Sequence, residues 1–185
     1  KDLYAYLMDH SQQPPERMRR IAERVKEREG LHIRQINLKR FEDEIKLVKQ
    51  IYNQAWSKNW GFVPLTEAEL DHEIGALKPV IDPETVTFAF IDGKAVAAGL
   101  PLPDVNQALI KANPKPGVPD LWTLAKLLFH YKINNKVTTL RAFAGGVIEE
   151  YRNNGIHFVL AVETMKAAAG KYQEIEYSWV LESNK

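Results

Sequence analysis

The sequence predicts an α/β fold with a mixed sheet and helices on both faces. Two apolar segments, Thr85–Ile91 and Lys94–Leu102, are joined by Asp92-Gly93, a pair that tolerates positive φ and is typical of a tight antiparallel hairpin. Further along, a strand, a helix and a second strand follow one another, which favours a parallel crossover. A hairpin and a crossover in one chain together predict a mixed sheet.

The crossover consists of a strand over Thr138–Ile148, a helix from Gly155 to Gly170 and a last strand over Glu174–Glu182. The helix carries two apolar stripes at helical spacing, formed by Ile156, Val159 and Leu160 and by Phe158, Val162 and Met165. A helix that is apolar on two sides is expected to be covered on two sides.

The first part of the chain predicts two helices around a strand. A Pro-Pro pair precedes a helix over Arg17–Glu29, and Gly30 is suited to its end. Apolar and polar residues alternate over Leu31–Ile36, the period of a half-buried strand. Apolar residues three and four apart then predict a helix over Phe41–Trp56.

The middle of the chain predicts three more helices. A capping box from Thr66 to Glu69 starts a helix that ends before Pro79. A short helix follows near Asp104–Ala112 and leads into a proline-rich loop. The apolar stretch Leu121–Tyr131 is interpreted as a buried helix.

The length and composition predict an ordinary globular protein, most simply one domain with an appendage. We expect residues 1–30 to form an N-terminal extension and residues 31–185 the domain. A net charge of +1 gives no reason to expect a nucleic-acid or membrane partner. The absence of cysteine excludes disulfides and thiolate nucleophiles and is compatible with a cytoplasmic protein. The five histidines show no metal-ligand spacing, so no metal is expected.

Four polar or flexible residues, Arg152, Asn153, Asn154 and Gly155, stand where the crossover helix must begin. The first backbone N–H groups of a helix have no partner within it, and they attract anions together with the helix dipole. A neighbouring arginine adds a charge-assisted contact to a phosphate. The same residues also suit an ordinary helix cap and a tight turn, and these two interpretations stay open.

The segment "GVIEEYRNNGIHFVLAVETMKAA" resembles the coenzyme A-binding motif of the GNAT superfamily of acyl-CoA N-acyltransferases, a strand followed by R/Q-x-x-G-x-G/A and a helix. Arg152, Gly155 and His157 fall on its first, fourth and sixth positions, and Val147 falls where the strand ends. The likeness extends to "INLKRFEDE", "IYNQAWSKNWGFVP" and "YSWVLESN". It is similar to a bacterial subgroup in which this segment forms the C-terminal part of a longer protein.

The resemblance implies a GNAT-like fold and acetyl-CoA or another acyl-CoA as co-substrate. The backbone amides of Asn153, Asn154, Gly155, Ile156 and His157 would hold the diphosphate, with Arg152 nearby. Pantetheine would pair with the open strand edge over Ala144–Val147. The acyl group would pass directly to an amine, without a metal; a small-molecule amine, a preceding domain or a second copy of the chain are the expected partners.

The chain departs from the family pattern at two places. His157 occupies the position of a glycine or alanine, where it would either crowd the diphosphate or donate a hydrogen bond to it. The family also continues beyond the last strand with a helix and further strands. We therefore expect either that these C-terminal elements are lacking or that the sheet is completed otherwise.

Catalytic residues are not assigned by the sequence. Glu149, Glu150 and Glu182 lie at predicted strand ends, where a solvated surface carboxylate is the more typical outcome. Trp56, Trp60 and Phe62, with Tyr52, form an aromatic group that would either line a substrate pocket or cover the sheet.

Two functions follow from these observations. The first is acyl transfer from acyl-CoA to an amine. The second is a non-catalytic GNAT-like module that binds a ligand or another domain, which the departures at His157 and at the C-terminus favour.

Overall fold

The computed structural model describes residues 2–9, 13–58, 62–64, 66, 75–134 and 136–182, with the side chains of Trp179 and Leu181 excepted. Six strands form one mixed sheet in the order β1-β6-β5-β4-β3-β2. The strands and helices are β1 Leu3–Asp9, α1 Glu16–Lys26, β2 Leu31–Gln35, α2 Phe41–Trp56, β3 Thr87–Ile91, β4 Lys94–Pro103, α3 Asn106–Ala112, α4 Asp120–Leu128, β5 Thr139–Val147, α5 Ile156–Ala168 and β6 Glu174–Leu181. Short 3-10 turns cover Leu38–Arg40 and Glu149–Asn154, and a π-helical turn covers Phe129–Ile133.

The predicted hairpin and crossover both form. Asp92 and Gly93 have φ values of 48° and 80°, and they turn β3 into an antiparallel pairing with β4. Helix α5 carries the chain from β5 to β6, and these two strands are parallel. The mixed sheet is therefore confirmed, together with the reason given for it.

Neighbouring residues of a strand point to opposite faces of the sheet, so successive apolar residues make both faces apolar. Helices cover both of these faces. Phe88 of β3 packs with Ile45 and Ile51 of α2. The next residue, Ala89, packs on the other face with residues of α1 and α5. The core therefore consists of two layers separated by the sheet.

The prediction that the crossover helix is covered on two sides is confirmed. Ile156, Val159 and Val162 are buried in a cluster that contains residues of β3 and β4. Ala22 and Val25 of α1 belong to the same cluster, so α1 covers the side of α5 that the sheet leaves open.

The first residues of the chain form a strand that the sequence analysis does not predict. β1 pairs antiparallel with β6, from Leu3 opposite Leu181 to Asp9 opposite Glu174. Its side chains are mostly exposed, so neither face is buried. The sequence therefore lacks the alternation of apolar and polar residues that identifies a half-buried strand. This edge of β6 is therefore completed by a strand from the other end of the chain, in keeping with the alternative that the sheet is completed otherwise.

The prediction of a buried helix over Leu121–Tyr131 is wrong. Helix α4 and the π-helical turn form there, but no residue of α4 is buried. Leu121 is 77% exposed and Phe129 is 48% exposed. The apolar composition predicted that neighbouring elements would bury this helix on all sides. Only the side that bears Leu127 and Tyr131 packs on the core.

Part of the middle segment lies outside the described residues. The predicted capping box from Thr66 to Glu69 and most of its helix fall there, and the structure resumes with a short helical stretch over 75–77. The short helix predicted near Asp104–Ala112 is confirmed as α3.

Candidate functional site

Strands β5 and β6 begin side by side and then part. Their parallel pairing covers three residues of each strand, Thr139–Arg141 opposite Glu174–Glu176. Beyond these positions β5 pairs only with β4, and β6 pairs only with β1, within the part of the chain that the structure describes. The two strands therefore form a fork that is closed at their first residues and open at their last.

The fork leaves one edge of β5 without a strand partner over residues 142–147. Six residues of extended chain span about 20 Å, and every second one directs its N–H and C=O groups toward the gap. Ala144 and Val147, both predicted binding residues, belong to this stretch and pair with β4 on the other side. An extended ligand with amide groups is the natural complement of such an edge.

A bulge interrupts β5 in the same stretch. Leu100 of β4 lies opposite Ala144, and Pro101 lies opposite Ala142, so Phe143 has no residue opposite it. A bulge bends its strand and releases backbone groups from the ladder. The proline on β4 contributes to this, since it has no N–H to donate.

The turn after β5 is a 3-10 helix over Glu149–Asn154 that ends at Gly155. Gly155 has a φ of 75°, a left-handed conformation that favours glycine. A Cβ added at Gly155 would lie 3.0 Å from Cγ2 of Val25 on α1. Backbone conformation and close packing against α1 are therefore sufficient reasons for this glycine, with or without a ligand.

Arg152 is placed beside the predicted site but is already engaged. Its guanidinium donates to the carbonyl oxygen of Ala55 at the end of α2 and, over 3.4 Å, to that of Val147. These bonds tie the turn to the last turn of α2, whose carbonyl groups carry the negative end of the helix dipole.

The two asparagines do not cap helix α5. The capping position is Gly155, and no side chain accepts a hydrogen bond from the first amides of α5. Asn153 is exposed, and the Asn154 carbonyl oxygen accepts a hydrogen bond of 2.8 Å from Arg28. Capping by asparagine is thus a wrong interpretation, and Arg28 is a second arginine at this turn.

His157 lies on the first turn of α5 with its ring 4.0 Å from that of Phe158. Desolvation lowers the pKa of His157 below its ordinary value of 6.5, which favours the neutral imidazole at neutral pH. A neutral ring still carries one N–H donor, so the side chain has a group to offer an anion. Ile156, the preceding residue, is buried in the core.

The aromatic group lies against β5. The Tyr52 ring stacks on that of Trp56 at 5.0 Å and is 5.5 Å from that of Phe62. A Cβ added at Gly146 would lie 2.7 Å from Cη2 of Trp56, so this glycine admits the indole. The structure brings Trp56 and Phe62 together next to the fork; Trp60 lies outside the described residues.

A polar network at the closed end of the fork was not predicted. Arg141 and Glu176 are the last pair of the β5–β6 ladder, and their side chains form an ion pair of 3.2 Å. The Ser178 hydroxyl donates to Glu176 over 2.6 Å. The signal in the sequence was an arginine on one predicted strand and two glutamates, Glu174 and Glu176, on the other, and only the register shows which of them meet.

The three carboxylates named from the sequence are engaged elsewhere. Lys58 lies 2.6 Å from Glu149, and this hydrogen bond and charge hold the pKa of that carboxyl below its usual range. Glu150 pairs with Lys94 at 3.3 Å. Glu182 accepts a hydrogen bond from the Asp2 backbone at 3.4 Å. All three follow the last residues of β5 or β6, at the open end of the fork, and none belongs to the polar network at its closed end.

A second polar cluster, also not predicted, lies beside the start of β6. The Tyr172 hydroxyl donates to Asp82 over 3.0 Å, and Lys171 pairs with the same carboxylate at 3.3 Å. A cavity of about 300 Å³ lies between these residues and Tyr131. Burial, with the charge of Asp82, raises the pKa of Tyr131 to about 12, so its hydroxyl stays protonated.

Two curated proteins are similar in sequence to most or all of the chain, although no family model matches it. It is 37% identical over 193 residues to the bacterial ceramide synthase of Caulobacter vibrioides, an alignment that covers 100% of this chain and 48% of that protein. It is 35% identical over 162 residues to Protein YghO of Escherichia coli, covering 85% and 40%. The chain thus spans less than half the length of these curated relatives.

Solved structures show the same fold at low sequence identity. A GCN5-related N-acetyltransferase from Sphaerobacter thermophilus has a TM-score of 0.58 and 15% identity, covering 99% of this chain and 44% of that one. The C-terminal domain (DUF2156) of a protein described as a lysylphosphatidylglycerol synthetase, from Agrobacterium fabrum, has a TM-score of 0.54 and 12% identity, covering 94% and 47%. The predicted GNAT-like α/β fold is confirmed.

Proposed function

We propose that this protein transfers an acyl group from acyl-CoA to an amine, directly and without a covalent enzyme intermediate. The observation that carries the proposal is the fork between β5 and β6, which leaves an unpaired strand edge beside a turn with two arginines. A thioester ligand with amide groups in its arm and a diphosphate at its far end matches both parts of this surface.

The donor is proposed to lie along the open edge of β5. Its pantetheine amides would pair with backbone groups over residues 142–147, and its diphosphate would reach the turn at Asn153 to His157. Arg28 and Arg152 bring two positive charges to that turn. The thioester would then point toward the closed end of the fork, near the bulge at Phe143.

The acceptor is proposed to bind at the closed end, where Glu176 supplies a negative charge for an ammonium group. After Glu176 takes a proton, the amine nitrogen attacks the thioester carbonyl carbon. The C–N bond forms and the nitrogen loses its second proton to solvent. The C–S bond breaks, and the thiolate leaves as coenzyme A after taking a proton from solvent. The Arg141 guanidinium would hold Glu176 in place.

The name of one relative supports an amine acceptor with a long chain. Ceramide is the N-acyl derivative of a long-chain amino alcohol, and one relative is named a bacterial ceramide synthase. We therefore propose a long-chain amine as the acceptor for this chain as well.

A non-catalytic module is the second candidate, and a specific observation favours it. The Arg152 guanidinium is bonded to the carbonyl groups of Ala55 and Val147, and Gly155 is explained by its packing on α1. Both motif residues therefore have structural roles that require no coenzyme.

Calorimetric titration of coenzyme A into the full chain separates these candidates. Acyl transfer predicts saturable binding that Asn153→Asp weakens by about fivefold, because a carboxylate at the exposed turn repels the diphosphate. Asn113→Asp is the matched control, since Asn113 is an exposed asparagine in the loop before α4, and it should bind normally. Absence of binding to the folded protein would contradict the proposal and leave the second candidate.

Release of free thiol from palmitoyl-CoA in the presence of sphinganine then tests the chemistry. Glu176→Gln keeps a hydrogen-bonding group beside Ser178 and Arg141 but cannot accept the proton. We expect it to lose at least about a hundredfold in rate, the usual scale of general-base catalysis, while binding coenzyme A as the unaltered protein does. An unchanged rate would remove Glu176 from the mechanism.

A further inference from the structure

Half of the large apolar side chains that are exposed in the described part of the chain belong to one segment, residues 105–137. We call this the α3–α4 surface, and its members are Ile110, Leu121, Trp122, Leu124, Phe129 and Ile133. Scattered apolar residues are normal on a protein surface, whereas a contiguous group indicates an interaction site.

Helical spacing aligns most of this group on one face. Leu121, Phe129 and Ile133 are separated by eight and four residues in the sequence, with Trp122 beside them. Tyr131 points the other way, is buried, and donates to the Val80 carbonyl over 3.0 Å. The helix is thus anchored through one side while its apolar side stays uncovered by the described residues.

Positive charges predominate around this surface. Segment 105–137 contains five lysines, Lys111, Lys115, Lys126, Lys132 and Lys136, against a single acid, Asp120. All five lysines are exposed. The prediction of no membrane partner used the net charge of the whole chain, +1, which conceals this local excess.

Strand β1 carries the other large group of exposed apolar side chains but lacks this charge pattern. Leu3, Tyr4, Tyr6 and Leu7 are exposed there. The acids Asp2 and Asp9 flank them, and the described residues of this segment include no lysine or arginine. The described residues of β1 therefore offer no positive charge to an anionic surface, whereas the α3–α4 surface does.

We propose that the α3–α4 surface docks the protein onto an anionic lipid membrane. Apolar side chains, with a tryptophan among them, would enter the boundary between headgroups and acyl chains. The lysines would lie at the phosphate groups, each contributing attraction to anionic lipid. The Lys126 ammonium lies 6.0 Å from the Trp122 ring, which keeps charge and apolar surface together.

The position of this surface gives it a use, and this step rests on the proposed function. The Asp104 N–H donates to the Thr139 carbonyl over 2.9 Å, and Gln107 donates to the Thr139 hydroxyl over 2.9 Å. Both bonds fix α3 at the closed end of the fork, where the acceptor is proposed to bind. A long-chain amine would therefore reach Glu176 from the membrane, while the coenzyme occupies the open end.

Flotation of the full chain with lipid vesicles tests the docking without coenzyme or acceptor, so its failure is distinct from failure of acyl transfer. One vesicle contains phosphatidylcholine and phosphatidylglycerol in equal parts, and the other contains phosphatidylcholine alone. We expect binding to the first, weakened by salt, and little binding to the second. Leu121→Ser should lower binding about tenfold, as loss of a buried leucine would.

Matched variants make the test specific. Leu7→Ser removes another largely exposed leucine, from β1, and should leave vesicle binding unchanged. Lys126→Glu should lower binding at least about fivefold, whereas Lys46→Glu, on α2, should not. The proposal is overturned if the protein does not bind anionic vesicles, or if Leu7→Ser and Leu121→Ser lower binding equally. It is also overturned if the protein self-associates without binding vesicles and Leu121→Ser abolishes that self-association.

Discussion

Helices α4 and α5 are both rich in apolar residues, yet the fold uses them in different ways. α5 lies between the sheet and α1, and Ile156, Val159 and Val162 on it are buried. α4 is covered on one side only, and its residues Leu121 and Trp122 are exposed. The difference shows that apolar content indicates how much of a helix surface needs to be buried, but not which neighbouring element buries it.

The two helices also lie at opposite ends of the fork, since Leu127 of α4 packs in the cluster that contains Leu140 and Ile175. α5 starts at its open end, where the residues of the motif are bonded to the protein itself. α4 belongs to the closed end, where the sequence contains no recognised motif. If both proposals hold, the donor and the acceptor enter the site from these two ends.

The largest expected effect compares one isoleucine from each region. Ile156 is 1% exposed and Ile133 is 74% exposed. Ile156→Ala should lower the free energy of unfolding by about 2–5 kcal/mol, because it removes buried methyl groups and leaves a cavity. Ile133→Ala should change it by less than about 0.5 kcal/mol. Urea denaturation measures both, and equal losses would mean that the π-helical turn after α4, to which Ile133 belongs, is covered.

A second comparison uses two glycines with the same backbone conformation. Gly155 and Gly170 have φ values of 75° and 76°, but a Cβ meets Val25 at 3.0 Å only at Gly155. Gly170→Ala should cost about 1 kcal/mol for the left-handed conformation alone. Gly155→Ala should cost about 2 kcal/mol, because α1 must also move.

Thermal unfolding of the two glycine variants measures the difference between them. Equal losses would show that the packing of Gly155 on α1 is loose, and the structural explanation of this motif glycine would weaken. The phosphate-binding interpretation would then regain weight.

Local chemistry explains what the sequence could predict. Asp92 and Gly93 determine their own turn, and the apolar period over Phe41–Trp56 gives the bounds of α2 as observed. The two stripes of α5 predict two covering layers. These elements depend on residues close together in the sequence, so their patterns are legible without the fold.

Long-range pairing explains what the sequence could not predict. Arg141 meets Glu176 only because three residues of β5 and β6 pair in one register. β1 joins β6 across nearly the whole chain, without a burial pattern of its own. Gly155 has the residue type of a phosphate loop, yet its neighbours on α1 could be identified only from the fold.

The smallest expected effect concerns His157 at the start of α5. Its pKa is lowered by desolvation, so the unfolded chain takes up a proton at a higher pH than the folded chain does. The contribution of His157 to stability is therefore unimpaired above the unfolded pKa of about 6.5 and is lost as the pH falls from there through the folded pKa. His157→Gln should remove this dependence on pH. It should change the free energy of unfolding by less than about 0.5 kcal/mol, because the side chain is exposed.

The same histidine reports on the diphosphate. A bound dianion beside His157 favours the imidazolium, so coenzyme A should raise the pKa of His157 measured by NMR titration. Asn153→Asp, which weakens coenzyme binding under the proposal, should require more coenzyme for the same change. A pKa that stays constant while calorimetry shows binding would place the diphosphate away from the turn. The proposal that the donor enters from the open end of the fork would then be contradicted.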